Sequence, residues 1–334
     1  MEWNFSHTTS CLRFTTHAAR RVRQTILTVL YTADFLFIRS YPPFYGLFGG
    51  IDSHLLHSDN EQMNELEQLR ILHDFPETKL MPALFVGHGS PMNAIEDNAY
   101  VEGWKMLGKN LPRPLAILSI SAHWLTRGVD VHIAKNPRTI HDFWGFPKEL
   151  YDLAYPCPGS PEYAELTKAS VTGAVIRADL DWGIDHGTWI VLHRMYPNAD
   201  IPVFQMSIDM NRSHKEHYEL AKELRLLRKR GVLILGSGNI VHNLGMINFR
   251  EDASIFSWAE DFDGRAKELI AKGEHEALVN YEKLGRAATL AIPTPDHYWP
   301  LLYILGLQEK DEGASFPIEG IAHGSISMRS VLIK

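Results

Sequence analysis

Three short apolar runs, each followed within a few residues by a histidine, constrain this chain more than any other feature. The first lies in Met81–Pro91, MPALFVGHGSP. Leu84, Phe85 and Val86 show no helical spacing, and Pro82 and Gly87 bound them. That reads as a buried strand ending in a tight turn. His88 stands at its C-terminal tip between two glycines, which let the backbone come close to whatever the imidazole touches. Ile117–Ile120 is followed by Ser121, Ala122, His123 and Trp124. Val232–Leu235 is followed by Gly-Ser-Gly-Asn, then by Ile240, Val241, His242 and Asn243. Strand ends on one edge of a parallel sheet converge, and ligands of open α/β sheets bind beyond them. Neutral imidazole is the commonest metal ligand, so His88, His123 and His242 are expected to hold one metal ion.

The pattern between these runs supports that sheet. Strand 81–87 leads through Pro91 to a helix near Tyr100–Gly108, then to strand Leu115–Ser121. Gly128–Ala134 alternates apolar and polar residues and suits a further strand. Asn136–Pro147 is a loop rich in aromatic residues. A helix over Pro161–Gly173, a strand over Val175–Ala178 and a helix starting near Gly187 follow. Pro202–Ser207 reads as a strand, and Glu216–Lys229 as an amphipathic helix with Leu220, Leu224 and Leu227 on one face. Strand 231–236, a helix over Trp258–Ala271 and a tail of short strands over Ala314–Ile333 complete the chain. Strands alternating with helices predict a single α/β domain, a mostly parallel or mixed sheet flanked by helices.

Residues 1–80 do not share this regularity. No lysine precedes Lys79, Arg20, Arg21 and Arg23 cluster, and the apolar stretch Thr25–Ile38 is interrupted by Asp34 and short for a bilayer span. We read 1–80 as an upstream extension with a polar linker over 51–80, a short helix around Glu61–Leu72 and a working start at Met63 or Met81. An organelle transit peptide is the alternative. Residues 81–334 form the expected catalytic domain.

Composition narrows the function class. Of 334 residues, 45% are hydrophobic, ample for a buried core. The net charge of −7 with interspersed signs gives no nucleic-acid footprint, and no segment indicates a membrane. Cys11 and Cys157 are the only cysteines and are far apart, so neither a disulfide framework nor a cysteine zinc site is expected. This is the profile of a reduced, cytoplasmic enzyme. Homo-oligomerisation is left open. The seventeen histidines are the most informative count, because they allow several imidazoles in one site.

Other residues could carry chemistry. His186, in Asp-His-Gly-Thr-Trp, opens a helix, where the positive dipole end favours the neutral imidazole and suits acid–base work. His141 in Ile-His-Asp-Phe-Trp-Gly-Phe-Pro and His297 in Pro-Thr-Pro-Asp-His-Tyr-Trp-Pro sit among aromatic residues that line pockets for flat ligands. Asp142 and Asp185 each adjoin a candidate histidine, and either could fix its tautomer. His193, His214, His217 and His275 are expected at ordinary surface or core positions. The Gly236–Asn239 turn lacks the Walker lysine and the dinucleotide spacing, and Ser90 is not in a nucleophile elbow.

Taken in order, GHGSP, SAHW, IHDFWGFP, DHGTW, GSGN-x-VHN and PTPDHYWPL resemble the 4,5-DOPA extradiol dioxygenase family. That family belongs to the class III, LigB-type ring-cleaving enzymes, and the likeness is close to its bacterial members over about residues 80–334. The resemblance implies a LigB-like fold and extradiol cleavage of a catechol such as L-DOPA with O2, giving 4,5-seco-DOPA. It implies one divalent metal held by His88, His123 and His242, with His186 beside it as acid–base group or fourth ligand. Phe143, Trp144, His141, His297 and Tyr298 would form the substrate pocket. Better-known LigB-type sites use two histidines and a glutamate, and this chain offers His242 where that carboxylate is expected. An all-imidazole set suits Zn(II), the ion expected in a purified sample, at least as well as Fe(II), which extradiol chemistry requires. The alternatives are a zinc hydrolase using metal-bound hydroxide and a metal- or aromatic-binding protein without turnover.

Overall fold

The computed structural model describes residues 70, 71, 74–250 and 254–334. The extension and the short helix around Glu61–Leu72 thus lie almost wholly outside the described residues. The strands are β1 (Ala83–Gly87), β2 (Ala116–Ser121), β3 (Leu125–Thr126), β4 (Val129–His132), β5 (Ile176–Asp179), β6 (Val203–Gln205), β7 (Ile208–Asp209), β8 (Val232–Gly238), β9 (Ala314–Ser315), β10 (Ile321–Ala322), β11 (Ile326–Ser327) and β12 (Val331–Ile333). Six of them make the central sheet in the order β6-β2-β8-β1-β12-β9. β6, β2, β8 and β1 run parallel, whereas β12 is antiparallel to both β1 and β9. The sheet is therefore mixed, and its parallel half carries the site.

The apolar runs are continuous because both faces of this half are covered. Successive side chains alternate between faces. Ala83, Phe85, Leu118, Val232 and Ile234 enter one core with the helices Ser257–Lys272 and Trp299–Gly306. Leu84, Val86, Ile117, Leu233 and Leu235 enter the other with the helices Ala99–Asn110 and His186–Met195. Fully burying one such Leu or Phe contributes roughly 1.5–3 kcal/mol.

The anticipated helix over Glu216–Lys229 is two pieces, His214–Glu223 and Arg225–Arg228. The first begins with a capping box, Ser213 and Glu216. The helix Trp299–Gly306 was not anticipated. All eight of its residues are buried, so it has no polar face to give a period. No helix among the described residues is long and apolar enough to cross a membrane.

Candidate active site

Adjacent parallel strands in register bring distant histidines to one rim. Gly87 pairs with Gly238 across β1 and β8, and Ser121 pairs with Ser237 across β2 and β8. His88 follows β1 directly, and its N–H donates to the Gly238 carbonyl at 3.1 Å. His123 lies two residues past β2. His297 precedes the helix Trp299–Gly306, and its carbonyl accepts the Asn239 N–H at 2.9 Å. A Cβ on Gly238 would sit 2.2 Å from that carbonyl oxygen, so only glycine lets His297 approach the sheet. His186 is the first residue of its helix, capped by the Asp185 side chain. A Cβ on the next residue, Gly187, would lie 2.7 Å from Ser121 Oγ and 2.9 Å from His123 Cδ2.

Five imidazoles meet here. His88, His186 and His297 are buried, and His123 and His242 are half-buried. The donor atoms of His88, His123 and His297 all lie within 4.8 Å of one another, as do those of His123, Asp142 and His186 and those of His242, Asp296 and His297. The sequence-based trio was His88, His123 and His242. His242 reaches the same cluster through His297, on which it stacks with ring centroids 3.5 Å apart and planes at 9°. Its own N–H donates to the Ala291 carbonyl at 2.8 Å.

Hydrogen bonding fixes which nitrogen is bare. Ser237 Oγ donates to the Gly187 carbonyl at 2.5 Å, so towards His88 Nδ1, 3.0 Å away, it can only accept. The proton of neutral His88 is then on Nδ1, and Nε2 presents a lone pair. His88 Nε2 faces His123 Nε2 at 3.2 Å. Asp142 lies on the other side of His123, with Oδ2 3.5 Å from Nδ1. Asp296 contacts His297 Nδ1 in the same manner. Each Nδ1 has an oxygen partner, the arrangement that aims Nε2 of a ligating histidine at a metal. Two lone pairs facing each other at 3.2 Å repel unless a cation lies between their directions. Tetrahedral Zn–N bonds of about 2.0–2.1 Å require nitrogens about 3.3 Å apart, so the donor set fits a divalent ion.

Electrostatics agree. Burial, then the positive forms of neighbouring imidazoles, hold His88, His123 and His242 well below the ordinary imidazole range, so they stay neutral and able to ligate. Burial opposes ionisation of Asp142, but His186 and His123 outweigh it and hold the carboxyl below the usual range. Asp296 behaves likewise beside His297 and His242. Asp185 differs: burial and the nearby Asp142 push it up to about 6 against hydrogen bonds from Gln205 and Ser121.

The remaining sequence-based site residues are spread over one wall and its support. Phe143 is buried and meets His186 edge-on, centroids 5.5 Å apart at 90°. His141 Nε2 pairs with the Leu153 carbonyl at 2.9 Å, and its ring lies 5.7 Å from Phe143. Trp144 is 37% exposed. Tyr298 packs in the core against Tyr281 and Phe262 and donates its hydroxyl to the Leu278 carbonyl at 3.0 Å. Sequence reasoning passed over Ser237 and Asp296. The direct adjacency of Asp296 and His297 was a visible signal for the second.

Known proteins bear on this geometry. The family model described as the catalytic LigB subunit of aromatic ring-opening dioxygenase matches residues 82–330. The chain is 48% identical over 257 residues to a 4,5-DOPA dioxygenase extradiol of Escherichia coli strain K12, covering 76% of this chain and 94% of that one. It is 37% identical over 239 residues to a 4,5-DOPA dioxygenase extradiol of Beta vulgaris, covering 69% and 88%. A crystal structure of an uncharacterized protein from Escherichia coli K12 matches with a TM-score of 0.67 and 43% identity, covering 76% of this chain and all (100%) of that one.

Proposed function

The chain belongs to the LigB family of aromatic ring-opening dioxygenases, and from that premise we propose that it cleaves a catechol such as L-DOPA between C4 and C5 to give 4,5-seco-DOPA. The observation that carries the site assignment is the pair of facing Nε2 atoms of His88 and His123, 3.2 Å apart in a buried setting. His88 and His123 hold the metal, and donor-atom proximity favours His297 over His242 as the third holder. A redox-active divalent ion such as Fe(II), when bound, supplies the chemistry that joins a catechol to O2.

The chain's own side chains do the rest. His186, beside Asp142, accepts a proton from a catechol hydroxyl and returns it as the ring opens. His242, outside the favoured trio, adds a further imidazole stacked on His297. Phe143, Trp144 and His141 form the wall against which the flat ring packs and from which water is excluded. Tyr298 supports His297 from the core side. A reducing cytoplasm belongs to the same reading, in keeping with the buried free thiol of Cys157.

The direct test loads the anaerobic apoprotein with Fe(II), then adds L-DOPA and air. A yellow product with one O2 consumed per ring opened is expected, and the zinc-loaded protein should be inactive because zinc cannot cycle electrons. Ester or amide hydrolysis by the zinc form, with no O2 uptake by the iron form, overturns the proposal in favour of a hydrolase.

A further inference from the structure

Asp142 is the residue on which two imidazoles of the site converge. It lies on the loop between β4 and the helix Lys148–Asp152. Its Oδ1 accepts the backbone N–H of His186 at 2.9 Å. Its Oδ2 lies 2.9 Å from His186 Nδ1 and 3.5 Å from His123 Nδ1. The two rings themselves are 3.8 Å apart, centroid to centroid. One carboxylate thus accepts a backbone N–H and lies beside two ring nitrogens from two chain segments. Asp185, the chain neighbour of His186, is occupied elsewhere: it accepts from Ser121 Oγ at 2.7 Å, Gln205 Nε2 at 2.7 Å and the Thr188 N–H at 3.2 Å.

We propose that Asp142 is a positioning residue that holds the proton of His186 on Nδ1, so that Nε2 of that imidazole faces the substrate. The inference rests on the acid–base reading of His186 above. Its chemistry depends on having two acceptors. The backbone N–H and Nδ1 of His186 meet different oxygens of the carboxylate, and an asparagine in the same pose puts an NH2 in place of one of them. With the amide N–H turned towards Nδ1, His186 must carry its proton on Nε2, where it can no longer act as a base. Wrong-tautomer substitutions of this kind in other histidine–carboxylate pairs lower kcat by orders of magnitude while leaving the geometry intact.

The test uses the metal-loaded enzyme and four forms: Asp142→Asn, Asp142→Glu, His186→Ala and Asp142→Asn with His186→Ala. Three readouts are taken: metal content, kcat and KM for L-DOPA, and the absorption spectrum of 4-nitrocatechol bound without oxygen. The colour of that probe reports how many protons it has lost. Asp142→Asn is expected to keep its metal and its KM. Its kcat should fall about 100-fold or more, and its bound nitrocatechol should retain a proton that wild type removes. Asp142→Glu restores the two acceptors and should bind the doubly ionised probe even if Asp142→Asn does not fold. In the His186→Ala background the asparagine should cost nothing further. Full kcat with a doubly ionised probe in Asp142→Asn overturns the proposal. So does a singly ionised probe in Asp142→Glu, or an undiminished loss in the His186→Ala background. Normal turnover by His186→Ala defeats the acid–base reading itself. An inactive His186→Ala beside a normal Asp142→Asn defeats this inference alone.

Discussion

Among the described residues, two regions concentrate histidine, and they treat it in opposite ways. On the strand rim, the Nδ1 atoms of His88 and His297 meet Ser237 and Asp296, and His88 Nε2 is turned towards His123. Around the helix His214–Glu223, His217 packs against Trp299 and pairs Nδ1 with the Tyr303 hydroxyl at 3.0 Å. His214 there accepts from Trp299 Nε1 at 2.9 Å and pairs with Glu282 at 2.8 Å. Both regions are rich in imidazole and aromatic rings. Only the first brings several nitrogens within reach of common points, so on the reading proposed above a metal centre is marked less by histidine number than by the direction that a partner on the other nitrogen imposes.

Breaking the rim should have the largest effect. His88→Ala or His123→Ala is expected to lose bound metal and to lower turnover by more than about 1,000-fold, measured by elemental analysis and oxygen uptake. His217→Phe should retain full metal content; metal loss there would erase the distinction between the regions. Next, His297→Ala should lose metal whereas His242→Ala keeps it, and the reverse result would return His242 to the ligand set. Asp296→Asn should weaken metal affinity by about 10–100-fold, read by competition with a chelator.

The core histidines should show in stability instead. Burial lowers His217 to about 4, helped by His214 and Arg212 and opposed by Asp209 and Glu216. Between that value and the ordinary value of 6.5 the unfolded chain binds the extra proton. Stability is therefore lost as pH falls from 6.5 towards 4, by about 3 kcal/mol at one pH unit per 1.36 kcal/mol. Urea unfolding across that window should be flatter for His217→Phe. The smallest expected change is Tyr298→Phe, which removes the hydrogen bond to Leu278 and should cost about 1 kcal/mol with kcat unchanged. A large rise in KM would move Tyr298 into the substrate pocket.

Much of the sheet was legible because its strands are short apolar runs with glycine or proline at their ends. The strand-tip positions of His88 and His123 followed from that, as did His186 at a helix start. Two things were hidden. His297 reaches the rim from a turn before a helix buried on all sides, so no period announced its position. The choice between Asp142 and Asp185 was equally open in the sequence, since each adjoins a histidine. Tertiary contacts decide it: Asp185 caps its own helix and is taken up by Ser121 and Gln205, while Asp142 crosses from another segment to His186.

Ser237 ties three pieces of chain together through one rotor. Its proton points at Gly187 on the helix that starts with His186, and its lone pair faces His88. The hydroxyl has no spare setting. Lifting that helix by an ångström would release the rotor to spin, and His88 could then shift its own hydrogen to Nε2, the nitrogen proposed above to bind the ion. On that proposal, how firmly the ion is held is tied to how snugly one helix is seated.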